Sequence, residues 1–179
     1  MRLFSLGLGA AALLLASPAD AASSTLRNAG NALIIALPVA AAGISALHDD
    51  WKGLGEFTIS AALSVGSAYA LRQIVRIRRP DHSDFQSFTP PDLTLADSSA
   101  DYLWSRYGWQ YGIPAYAARF VSSYALTDGK KNHWYDTLGS AALAFGFDYA
   151  IVSRYRPERY HVSLEPLPNG ASLHFVMQF

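Results

Sequence analysis

The sequence predicts an all-α protein, a bundle of about five helices with a short C-terminal β-hairpin. Three observations lead there. Apolar residues recur at helical spacing, as in Leu138, Ala141, Ala142, Phe145, Tyr149 and Val152. Breakers such as Pro80, Pro90-Pro91 and Gly129 fall where the periodic stretches end. Only the tail changes period: Tyr160, Val162 and Leu164 alternate with polar residues, and so do Ala171, Leu173, Phe175 and Met177.

Composition narrows the class. The chain has 179 residues, which favours a single domain. It has 14 basic and 14 acidic side chains, so it lacks the basic excess of a nucleic-acid binder, and no nucleic-acid partner is expected. With no cysteine, disulfide scaffolds, thiolate metal sites and cysteine nucleophiles are excluded. Only 16% of residues are charged, too few for a disordered chain and low for a soluble one, so a membrane is the expected neighbour.

The elements follow in order. Arg2, the apolar run Leu3 to Ala16 and the triplet Ala19-Asp20-Ala21 read as a secretory signal over residues 1–21. Export to a bacterial-type cell envelope, in the inner membrane or the periplasm, is expected. A helical domain is expected over 22–159 and a hairpin tail over 160–179. From Asn28 to Leu47 no residue is charged, long enough to cross a bilayer, although Pro38 should kink it. A second apolar helix runs from Leu54 to Ile77 and ends in Arg72, Arg76, Arg78 and Arg79, with Pro80 as the stop. A polar loop, Asp81 to Pro91, leads to a polar helix over Leu93–Arg106. An aromatic-rich helix covers Tyr107 to Tyr124, and the last helix covers Asp136 to Ser153. One anchoring helix beside a compact helical body is the expected arrangement. Most of Trp104, Tyr107, Trp109, Tyr111, Tyr116, Tyr124, Trp134 and Tyr135 are expected to pack between helices, with Trp109 and Tyr111 at a membrane interface.

A helix end rich in guanidiniums, with Arg72 followed after six residues by Arg79-Pro80, can hold a phosphate by bidentate hydrogen bonds. The helix macrodipole favours such cations on its own account. Around this cluster stand Asp50-Trp51-Lys52-Gly53, Tyr69-Ala70-Leu71-Arg72, Ser87-Phe88, Arg106-Tyr107-Gly108-Trp109, Tyr111-Gly112-Ile113-Pro114-Ala115-Tyr116 and His133-Trp134-Tyr135-Asp136. Together they resemble the type 2 phosphatidic acid phosphatase superfamily, which also holds bacterial acid phosphatases and vanadium haloperoxidases. The resemblance runs from about Asp50 to Tyr155. It implies a helical phosphatase fold, no cofactor, and a phosphate-bearing lipid or small anion as ligand.

That family's pattern is K-x-x-x-x-x-x-R-P, then P-S-G-H, then S-R-x-x-x-x-x-H-x-x-x-D. Its last His attacks phosphorus, oriented by the Asp, while the P-S-G-H histidine protonates the leaving group. Carried over, Arg72 stands for the Lys, and Arg79 and Pro80 match. P-S-G-H falls on Thr89-Pro90-Pro91-Asp92, where two prolines have no N–H and Asp92 replaces the acid. S-R falls on Ala125-Leu126, and the nucleophile's place is Asn132, four before Asp136. The phosphate-binding residues are therefore expected to be Arg72 and Arg79, with Asn132, Asp136 and Asp92 at catalytic positions that are not intact. His133 is the candidate for a displaced nucleophile. On a helical turn, one residue would rotate it by about 100° away from the pocket. His82 lies in the loop, and His48, His161 and His174 show no metal-ligand spacing with carboxylates, so no metal is expected. The expected function is a membrane-associated phosphatase-like protein that has lost catalysis and binds a lipid phosphate. The alternatives are a rerouted lipid phosphate phosphomonoesterase and a structural envelope component.

Overall fold

The computed structural model describes residues 19–128, 132–156, 160–167 and 170–177. Five helices follow one another: α1 (Ala19–Leu47), α2 (Trp51–Ile74), α3 (Pro91–Tyr107), α4 (Trp109–Asp128) and α5 (Trp134–Ile151). The chain is an all-α bundle. Strands β1 (Tyr160–Leu167) and β2 (Gly170–Met177) pair antiparallel, with Val162 opposite Phe175 and Leu164 opposite Leu173. Residues 1–18, most of the expected signal, lie outside the described residues, as does Gly129.

α1 starts earlier than Asn28, because a single Arg27 among alanines and leucines does not stop a helix. It is not a separate anchor. It packs along α3 and α4 and buries Leu37, Ala41 and Ser45. A Cβ at Gly30 would come within 2.4 Å of the Ala125 Cβ, and the Ser122 hydroxyl donates to the Gly30 carbonyl at 3.2 Å. Only a residue without a side chain permits that approach, the device by which small residues bring helix backbones together.

α2 begins at Trp51 because Asp50 caps it, its carboxylate accepting the Gly53 amide at 2.9 Å. It ends at Ile74, short of the expected Ile77, because Ile77 pairs with Gln86 across the loop instead. α3 starts with Pro91 at its first turn, where a missing N–H costs nothing. Gly108, at φ +90°, turns the chain from α3 into α4.

α3 is the central element, touched by all four other helices, and its polar residues are buried. Beside an apolar core that includes Leu37, Phe57, Leu93, Tyr102 and Leu103, the bundle buries many polar groups and leaves large apolar side chains on its perimeter. Ser60 and Ser64 of α2, Asp97, Ser98 and Asp101 of α3, Arg119 of α4, and Ser140 and Asp148 of α5 are buried. Ile35, Val39, Ile59, Leu63, Ile113, Phe120, Leu138 and Phe145 are exposed. Many of these groups pair: Arg119 holds Asp97, Tyr116 donates to Asp101, and Ser60 and Ser98 donate to Asp148. The Ser64 hydroxyl and the second carboxylate oxygens of Asp97 and Asp148 are buried with no hydrogen-bond partner among the described residues. This overturns the expected packing of most aromatic rings. Trp104, Trp109, Tyr124, Trp134 and Tyr135 are exposed, while Tyr107, Tyr111 and Tyr116 are half-buried. Polar groups already fill much of the space between the helices, so large rings are left at the perimeter.

Candidate functional site

The C-terminal end of α2, the loop after it and the N-terminal ends of α3 and α5 meet at one end of the bundle. Their meeting point is the short segment Gln86-Ser87. Arg72 donates from Nε and Nη2 to the Gln86 carbonyl at 3.2 and 2.9 Å. Asn132 donates its side-chain amide to the Ser87 carbonyl at 2.8 Å. The Ser87 hydroxyl is fully buried, donates to Asp136 Oδ2 and lies 3.1 Å from His133 Nδ1.

Asp136 is the hub of this end. Its Oδ2 also accepts the His133 backbone N–H at 2.8 Å and faces His133 Nδ1 at 3.3 Å. The reason is local: His133 is the N-cap of α5, with φ −79° and ψ 155°, and Asp136 is the third residue of that helix. The two form a capping box. His133 is therefore not within a helical turn, and the expected rotation of its ring by about 100° from the nucleophile's place does not apply to it. The ring is 29% exposed and stacks on Tyr135. With the proton on Nδ1 and directed at Asp136, Nε2 keeps a lone pair, the arrangement a nucleophilic imidazole requires.

Arg79 sits on the neighbouring loop and binds Asp84, Nε to Oδ1 at 2.8 Å. The Gln86 amide donated to Asp84 holds that carboxyl below its usual range, with Arg79 and then Arg72 adding to the effect. Arg72, Arg79, Asn132, His133 and Asp136 are thus joined through one loop, residues 79–87. Asp92 is not among them. It is exposed on the first turn of α3, where the helix N-terminus favours a carboxylate. Pro90 and Pro91 begin that helix, and the Pro90 carbonyl accepts the Thr94 amide at 2.9 Å. Thr89 is buried with φ +47°, a strained value for a β-branched residue that precedes proline. Ala125 lies against α1 instead of facing the site. Asn132 is buried as a clamp on the Ser87 backbone. His82, also at positive φ, is exposed in the loop. Among the described residues no group of three or more His, Asp or Glu side chains is arranged to hold a metal ion.

Sequence reasoning missed two features. Ser87 links His133 to Asp136, and only its place beside Phe88 marked it. At the opposite end, Arg106 binds Asp50 through Nε at 2.5 Å and Glu56 through Nη1 at 2.9 Å. It also reaches the Ser153 carbonyl at 2.6 Å, and Tyr107 donates to Asp50 at 2.8 Å. Burial pushes the Asp50 carboxyl up, but hydrogen bonds from Arg106, the Gly53 amide and Tyr107 outweigh it and hold the group below the usual range. The capping pattern Asp50-x-x-Gly53 was the one sequence signal for that network.

The chain is similar to a lipid A 4'-phosphatase of Helicobacter pylori, at 26% identity over 136 residues, covering 69% of this chain and 68% of the relative. That likeness fits the phosphatidic acid phosphatase superfamily that the motifs resemble. No family model matches the chain. No solved structure matches it either. Among the described residues one helix is long and apolar enough to cross a membrane, over Ser24–Leu47 with a mean hydropathy of 1.8.

Proposed function

We propose that this chain sits in a bacterial envelope membrane and binds the phosphate group of a lipid at the Arg72, Arg79 and His133 end of the bundle. The carrying observation is that Arg72 and the His133–Asp136 pair share the Gln86-Ser87 segment. A phosphate there would meet guanidiniums on one side and imidazole Nε2 on the other. The bilayer placement is supported by the apolar perimeter and the buried polar groups, since charged groups within a membrane face the interior of the bundle and pair there. The relative acts on a lipid by its name, which supports a lipid as the ligand here. On this reading the protein holds the headgroup without efficient turnover. Asp92 faces solvent, Pro90 and Pro91 offer no amide to a developing oxyanion, and a lost member of such a unit costs on the order of 10⁴-fold or more.

A second reading has its own observation, the orientation of His133 Nδ1 toward Asp136. Nε2 would then attack phosphorus, the bond from phosphorus to the lipid oxygen would break, and that oxygen would leave needing a proton from water. Water would then attack the phosphorus of the phosphohistidine, the N–P bond would break, inorganic phosphate would leave and Nε2 would regain its lone pair. A slow phosphomonoesterase results. One experiment separates the two. Purified chain in detergent is mixed with short-chain phosphatidic acid, and both binding and phosphate release are followed. Headgroup binding that weakens about tenfold or more in Arg72→Ala, with release at background, supports the binding reading. Release that disappears in His133→Ala establishes the second. Binding indifferent to Arg72 and Arg79 would exclude both.

A further inference from the structure

A cavity of about 510 Å³ opens between α1 and α4 in the half of the bundle away from Arg72 and His133. Its walls are Ala36, Leu37, Ala40 and Ile44 of α1 facing Ala115 and Ala118 of α4. One end is different. There His48, Gln110 and Tyr111 line it, with His48 Nε2 3.2 Å from the Tyr111 hydroxyl. Trp51 and Trp109, both exposed, follow at the same end of the bundle, where amphipathic rings suit a membrane–water boundary.

The dimensions limit what fits. From Leu33 to Leu47 the α1 wall runs about 21 Å at 1.5 Å per residue. A volume of about 510 Å³ lies in the range of pockets that take one small ligand and is well short of what a helix about 10 Å across would need over that length. A single polymethylene chain is slim enough to lie in it, and the length exceeds half of a hydrocarbon core about 30 Å thick. Ile35 and Val39 of α1 and Ile113 of α4, neighbours in sequence of the lining residues, are exposed apolar side chains.

We infer that the α1–α4 groove is a second lipid site, which takes one acyl chain of a bilayer phospholipid and leaves its headgroup at His48, Gln110 and Tyr111. It lies at the opposite end from the phosphate-binding residues, so the lipid held there is not the one offered to Arg72 and His133. Its role is to fill the seam where α1 joins the bundle. The inference rests on the bilayer placement proposed above.

The test uses the full chain, reconstituted with dipalmitoyl phosphatidylglycerol, released into mild detergent and weighed by native mass spectrometry. Wild type is expected to keep about one phospholipid per chain, and Arg72→Ala to keep as much. Ala40→Trp, which fills the groove, should reduce retention roughly tenfold. Ala118→Trp repeats the test from the other wall. If neither folds, replacing the palmitoyl by octanoyl chains should lower retention in wild type. Equal retention in the filled variants or with the short chains would overturn the inference, and so would loss of the adduct in Arg72→Ala. Carbonate washing of membranes keeps the two readings apart. A chain that resists extraction yet carries no lipid refutes the groove site alone, whereas a chain released by carbonate refutes the bilayer placement and the groove with it.

Discussion

The two ends of the bundle both set arginine against acid, and they do so differently. At the Asp50 end, Arg106 has 4% of its side chain exposed and meets two carboxylates, a carbonyl and a hydroxyl. At the Ser87 end, Arg79 keeps 17% exposure against an Asp84 that is 45% exposed, and Arg72 spends its guanidinium on a backbone carbonyl. A guanidinium saturated by buried carboxylates has no donor left for a ligand and acts as a brace. One anchored to a backbone carbonyl, with the exposed Asp84 nearby, has its positive charge less fully compensated and is suited to an anion. The same residue type thus braces the fold at one end and, in the proposed function, meets the ligand at the other, according to what surrounds it.

The largest expected effect breaks the brace. Arg106→Leu leaves the buried Asp50 without a cation, while the half-buried Glu56 keeps Lys52 at 3.8 Å, and should cost about 3–5 kcal/mol; denaturant or thermal unfolding in detergent checks this, and an unchanged midpoint would remove the contrast. Next comes the α1 seam. Gly30→Ala forces a Cβ to within 2.4 Å of Ala125 and should cost about 1–3 kcal/mol, read from the same unfolding curve. At the other end the effect moves from stability to binding. Arg72→Ala should weaken phosphatidic acid binding by about 1.5–3 kcal/mol while the unfolding midpoint stays near wild type, and a fall in the midpoint with binding intact would reverse the assignment. The smallest effects are in the pH dependence. Asp50 is held below its ordinary value of 3.8, so its contribution is complete above that pH and fades as pH falls below it through the folded value. Asp50→Asn should flatten that acid limb of a stability-versus-pH curve. Asp84 is lowered in the same sense but exposed, so Asp84→Asn should leave the limb as it was.

Much of the fold was legible because it depends on local signals. Breaker residues and 3.6-residue periodicity mark helices whatever surrounds them, and five helices were expected and found. The side on which each helix is buried was not legible. Leu138, Phe145 and Tyr149 share a face, as their spacing implied, but that face is exposed and the buried one carries Asp136, Ser140, Ala144 and Asp148. Periodicity reports that a helix has two unlike faces and is silent on which one meets its neighbours.

The sequence by itself determined the cationic end of α2 and the absence of amide donors at Pro90 and Pro91, since these follow from residue identity; Asn132 at the nucleophile's position is what the family resemblance implies. Only the tertiary structure decided what His133 does. As the N-cap of α5 it presents both its backbone N–H and its ring Nδ1 to the Asp136 carboxylate, and Ser87, far away in the chain, closes the arrangement. A cap is defined by where a helix starts in space, and here that start is held by contacts between α5 and a loop some 45 residues earlier in the chain.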